Sequence, residues 1–166
     1  NFFLNRNSIS IIDIKKKKLN FNSRFDAKER TYKYIIINRH SVLVHSLNKA
    51  WHVRKKLDIN TLKKGAKALE GTHDFSTFRS SSCGAKSPNK KMNSVKVLKK
   101  DNKIIIEFKS KSFLQNQVRS MVGCLKKLSC KDWNLKKFKV VFESKKRILC
   151  APPAPASGLY LTKIRY

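Results

Sequence analysis

Apolar positions along this chain change their spacing several times, and each change predicts an element. Residues 8–14, rich in Ile and Ser, alternate in part and predict a strand, with Lys15 to Lys18 following as a charged connection. Arg30 to Ile37 mixes β-branched and aromatic residues and predicts a second strand. Leu62, Ala66 and Leu69 share one face of a predicted helix over 60–70, with Asp58 or Asn60 to cap its start and Gly71 to close its end. Residues 80–91 hold Ser, Gly, Pro, Asn and Lys and read as a mobile basic loop. Val95–Leu98 and Ile104–Phe108 flank a polar turn and predict a hairpin. Leu114, Val118, Met121, Val122, Leu125 and Leu128 recur at helical spacing, predicting the strongest helix over 113–128. A shorter helix over 135–142, a rigid Pro-rich segment over 151–156 and a last strand over 159–166 complete the order. Strands, hairpins and interspersed helices predict an α+β fold, an antiparallel sheet backed by helices.

Charge changes the picture. The chain has 166 residues, with 39 Lys+Arg against 10 Asp+Glu and a formal net charge of +29. Such a surface calls for a polyanion, nucleic acid or an anionic membrane surface. No apolar run is long enough to span a bilayer, and the longest candidates, such as Ile35–Ile37 and Ile104–Ile106, are strand-sized. Cys83, Cys124, Cys130 and Cys150 form no C-x-x-C pair and no zinc-like spacing, so reduced thiols of a cytoplasmic protein are expected. No phosphate loop, no H-E-x-x-H and no G-x-S-x-G occurs.

Three places remain for chemistry. Arg119 lies beside the apolar stripe of the strongest helix, with Gln115, Asn116 and Gly123 one turn away; a guanidinium there suits a carboxylate or phosphate, or is an ordinary solvated arginine. Tyr32 and Tyr34 alternate on a strand and share a face, either to meet an unstacked base or to fill the core. His73 and Asp74 are neighbours on an extended segment and point apart, so they make a poor dyad; His40, His45 and His52 lack metal spacing.

Four stretches together carry a resemblance. Residues 21–34 resemble the F-H-A-R-F-S-A-x-x-R-x-Y-x-Y segment of TruA-type tRNA pseudouridine synthases, and residues 71–78 their G-x-H-D-F-x-x-F. Residues 113–123 resemble their F-L-x-x-x-V-R-x-M-V-G helix, and residues 154–161 their terminal A-P-A-x-G-L-Y-L. The four follow the family's order and cover nearly the whole chain.

The resemblance implies the α+β pseudouridine-synthase fold and conversion of uridine to pseudouridine in the anticodon arm of tRNA. Neither cofactor nor metal takes part. The base is turned out of the stack, an aspartate attacks, and the glycosidic bond is cleaved and remade to carbon. By position, Tyr32 lies against the target base and serves in proton transfer. Arg119 pairs with the catalytic aspartate, and Leu159 lines the pocket. Arg24, Arg30 and the 80–91 loop meet the tRNA backbone. Members act as homodimers.

Departures matter equally. The family's aspartate stands in a G-R-T-D-x-G-V-H stretch upstream of everything matched, and no such stretch occurs in these residues. The opening Asn1-Phe2-Phe3-Leu4 resembles the N-x-x-L that follows that half of the enzyme. The expected organisation is therefore the end of an N-terminal lobe over 1–20 and a C-terminal lobe over 21–166. Asp26, where the family has a small Ser, belongs to a different strand end from the nucleophile's loop. A fragment inactive by itself is the leading expectation, prone to weak folding where uncovered apolar surface is left. A non-catalytic basic RNA-binding module is the alternative.

Overall fold

The β-branched and aromatic run Glu29–Asn38 forms strand β1, on which the sheet is organised. The computed structural model describes residues 1–7 and 9–166. In it, one side of β1 pairs antiparallel with β5 (Lys103–Ser110), from Arg30 opposite Ser110 to Ile37 opposite Lys103. The other side is divided between two strands. Residues 29–34 pair antiparallel with β6 (Leu159–Arg165), and residues 36–38 pair parallel with the short β2 (Trp51–Val53). Beyond β5 lie β4 (Asn89–Lys100) and then β3 (Gly71–Asp74), both antiparallel to their neighbours. The result is a mixed, mostly antiparallel six-stranded sheet.

Alternation along the strands decides which face is covered. Ile104, Ile106 and Phe108 of β5, and Tyr34 and Ile36 of β1, are buried in one core with Met92, Val95 and Val97 of β4. Helices α1 (Ile59–Lys67) and α2 (Gln117–Ser129) close that face through Leu62, Ala66, Met121, Val122 and Leu125. Helix α3 (Leu135–Glu143) adds Phe138 and Phe142, the latter 5.4 Å from Phe75 and 5.3 Å from Phe78 between ring centroids. Each fully buried large side chain of this kind stabilises the fold by about 1.5–3 kcal/mol. The opposite face carries a solvated charge ladder, with Lys33 and Lys109 on either side of Glu107.

The fold class agrees with the sequence reading, while several element limits do not. Of the strand expected over 8–14, Ser8 lies outside the described residues, and Ile9–Ile14 forms no strand. Its isoleucines stand largely exposed with no neighbouring strand to pair with, and a lone strand has nothing to hold it. Helix α1 is capped by Asp58, whose side chain accepts from Thr61 N at 3.0 Å, but it ends at Lys67 rather than at 70. Leu69 N turns back to Ala66 O, and Gly71, at φ +105°, opens β3 instead of closing the helix. The helix expected over 113–128 begins only at Gln117. Asn116 adopts a left-handed φ of 59°, and the Gln117 side chain accepts from Leu114 N at 2.7 Å, which folds 113–116 into a turn. The loop expected over 80–91 ends early, because Asn89–Lys91 already pairs with β3.

Gly123 of α2 is a point of close approach. A Cβ there would lie 2.1 Å from the backbone oxygen of Pro152. Glycine to alanine inside a helix ordinarily gains about 1 kcal/mol; here the new methyl meets main chain, which cannot swing aside. Gly123→Ala should therefore lower stability by roughly 1–3 kcal/mol, read as a fall in the urea unfolding midpoint at unchanged slope.

Candidate active site

The segment that follows residue 150 is laid along α2 and back onto β1, and this builds a cleft. Ala154 N donates to Arg119 O at 2.9 Å, while Arg119 Nε donates to Ala154 O at 2.7 Å. The Tyr34 hydroxyl donates to Pro155 O at 2.7 Å. Gly158 then brings the chain onto β1 so closely that a Cβ would stand 2.7 Å from Ile35 O and 2.8 Å from Tyr34 Cζ. Leu159 is thereby delivered opposite Tyr34 at the start of β6.

The cleft between these parts has a volume of about 460 Å³. Arg24, Tyr32, Arg119 and Leu159 all line it, together with residues 83–85 and the 113–118 turn and helix start. Tyr32 and Tyr34 do share a face, opposite Phe108 and Ile106 of β5. They part in depth: Tyr34 is fully buried, whereas Tyr32 is half-buried at the rim. The ring of Tyr32 meets the Phe113 ring edge-on, with centroids 5.0 Å apart. Pairing between β1 and β6 slips at Thr31/Tyr32, so Thr162 is the extra residue of a bulge. Bulges re-aim neighbouring side chains, and this one lies beside Tyr32.

Arg119 is held rather than free. Besides its bond to Ala154, its Nη1 donates to Asn116 Oδ1 at 3.3 Å. Its remaining nitrogen has no hydrogen-bond partner among the described residues. Two arginines and the N-terminal end of α2 give the cleft positive potential, and no Asp or Glu is among the described residues lining it. An anion or a carboxylate is the complementary group.

Other sequence candidates lie elsewhere. Arg30 is outside the cleft, its guanidinium donating to Arg24 O and Lys111 O, so it braces the loop that carries Arg24. Asp26 closes that same loop by accepting from Asn22 N at 2.9 Å and lines a separate depression with Lys17, Lys18 and Lys28. His73 and Asp74 form no pair: the His73 ring nitrogen meets Glu70 O at 2.7 Å, and Asp74 accepts from Ser76 N at 2.8 Å. Among the described residues no group of three His, Cys, Asp or Glu side chains is placed to hold a metal ion. Sequence reasoning missed Phe113 as a cleft residue: it fell inside a predicted helix, whereas the left-handed turn at Asn116 ends the helix before reaching it.

The mixed α+β fold is that of the pseudouridine synthase class. The family model described as tRNA pseudouridine synthase matches residues 66–166. The tRNA pseudouridine synthase A of Pelagibacter ubique is 59% identical over 166 residues, 100% of this chain and 68% of that protein. Those of Ehrlichia canis and Maricaulis maris are 40% and 36% identical over the whole chain, which spans 68% and 67% of their lengths. The chain belongs to the TruA family of tRNA pseudouridine synthases.

Burial pushes the Tyr34 phenol above its ordinary range, with the Arg119 charge opposing in part. The folded chain therefore keeps a proton that the unfolded chain loses above pH of about 10. Stability should fall as pH rises past that value, and Tyr34→Phe should flatten the fall. At neutral pH the same substitution should cost about 1–2 kcal/mol for the lost bond to Pro155, both effects being read by denaturant titration across pH.

Proposed function

We propose that this chain is the tRNA-gripping, active-site lobe of an enzyme that isomerises uridine to pseudouridine in the anticodon arm of tRNA, with the nucleophilic aspartate supplied by sequence outside these 166 residues. The observation that carries the reading is the meeting of Tyr32, Arg119, Leu159 and Arg24 in one electropositive cleft without a carboxylate. Residues 1–20 then end an N-terminal lobe and residues 21–166 form the C-terminal one.

Each side chain has a part that its surroundings support. Arg119, fixed by Ala154 and Asn116, offers a remaining N–H edge to the incoming aspartate, keeping it ionised and aimed. Tyr32, backed by Phe113, presents a flat ring to an extruded uracil and a hydroxyl for moving a proton. Leu159 packs against the base. Arg24 takes backbone phosphate, and Arg30 serves it by holding its loop. The enzyme works without cofactor, as a cytoplasmic homodimer across which tRNA is clamped. Among the described residues no helix is long and apolar enough to cross a membrane.

The deciding measurement is pseudouridine formation in a tRNA anticodon arm, with the chain alone and with the upstream lobe restored. Activity should appear only on restoration, and Arg119→Ala should then lower kcat/KM by roughly 10²-fold or more, while Tyr32→Phe lowers kcat. Activity of the chain alone would move the nucleophile into these residues, with Asp26 the first to test. Tight tRNA binding by a restored protein that forms no pseudouridine would instead favour the non-catalytic module.

A further inference from the structure

Two of the four cysteines, far apart in sequence, are brought together by the fold. Cys124, fully buried on α2, and Cys150, part-exposed just before the segment that holds Arg119, have their sulfur atoms 3.5 Å apart. Ala151 N donates to Cys124 Sγ at 3.4 Å, so the backbone following Cys150 is already tethered at the buried thiol. A disulfide needs the sulfurs to close to about 2.05 Å, a movement that rotation of the partly exposed Cys150 side chain can supply.

From this pairing we infer that Cys124 and Cys150 are a redox modification site, which a hydroperoxide converts to a disulfide linking α2 to the Arg119-holding segment. The hydrogen bond with Cys124 and the nearby Arg147 charge hold the Cys150 thiol below its ordinary range. That same hydrogen bond, with burial, pushes Cys124 up. Cys150, on the solvent side, is thus the attacking thiolate. Its sulfur displaces hydroxide from the peroxide, giving a sulfenic acid; the hydroxide takes up a proton to become water. The Cys124 sulfur then attacks Cys150 Sγ, its proton leaving with the sulfenic oxygen as a second water. In sum two thiols and one hydroperoxide give one disulfide and two waters when the oxidant is hydrogen peroxide. The new bond ties α2 to the chain four residues before Ala154, so the segment that supports Arg119 is anchored covalently at its start.

The test treats the protein, its upstream lobe restored, with hydrogen peroxide and maps its peptides without reduction. A peptide joining Cys124 to Cys150 should form, reverse with dithiothreitol, and raise the thermal midpoint by roughly 5–10 °C. Cys124→Ser should leave a Cys150 sulfenic acid that dimedone captures. No joined peptide in the wild-type chain, or a dominant disulfide through Cys83 or Cys130, would overturn the inference, as would dimedone capture at Cys124 in Cys150→Ser exceeding that at Cys150.

Discussion

Two hydrogen bonds between Arg119 and Ala154, one from main chain to main chain and one through the guanidinium, hold the last part of the molecule to α2. The same arginine that faces the cleft is thus also the peg on which the cleft is hung. Its Nε is committed to Ala154, so the guanidinium plane is fixed and its outer edge is presented in one orientation. A lysine has no second nitrogen with which to do both. The contact depends in turn on Gly123, one helical turn further along α2, which leaves room for the Pro152 carbonyl. Beyond it, Pro155 receives the Tyr34 hydroxyl and Gly158 settles against β1. Placement of Leu159 is the last link of this chain of contacts.

How much of this was legible in the sequence follows from what each signal measures. Apolar periodicity located β1, α1, the β4–β5 hairpin and α3, since each buries one face against the same core, whereas β6 is largely exposed and is held by its pairing with β1. It failed at 113–116, where Phe113 and Leu114 match the helical stripe but a left-handed Asn116 breaks the helix; hydrophobic spacing carries no backbone sign. It also missed β2 and β3, which are three and four residues long and too short for any period. The alternating isoleucines of 9–14 misled in the other direction, because alternation shows that a segment can pair, not that a neighbour exists. At the site, resemblance singled out Tyr32, Arg119 and Leu159, and geometry gathered them. Arg30, by contrast, lies outside the cleft and braces the Arg24 loop through backbone carbonyls, a role that sequence alone does not reveal.

Most of the ten carboxylates are engaged in holding the fold. Asp58 caps α1, Glu70 accepts from Val95 N, and Asp132 joins Lys55 and Lys127. Glu29 accepts from Asn93, and Glu107 sits between two lysines. Backbone N–H of Thr61 holds the Asp58 carboxyl below its usual range, and the Lys55 contact does so for Asp132. With 39 basic residues against 10 acidic ones, 29 positive charges stay uncompensated within the chain however the acids are placed. Such a surface attracts a polyanion strongly and with marked salt dependence.

The division of one edge of β1 between β2 and β6 has a consequence for how the molecule comes into being. Strand β1 pairs at residues 36–38 with a segment about a dozen residues downstream, but at residues 29–34 with the final stretch of the chain. The second pairing is among the most sequence-distant contacts available to a chain of this length, and such contacts form slowly. During synthesis that half of the edge stays open until residues 159–165 have left the ribosome. The Tyr34 hydroxyl and Arg119 Nε likewise lack their Pro155 and Ala154 acceptors until residues 154–155 have emerged. The cleft is therefore completed only after the rest of this sheet has been made.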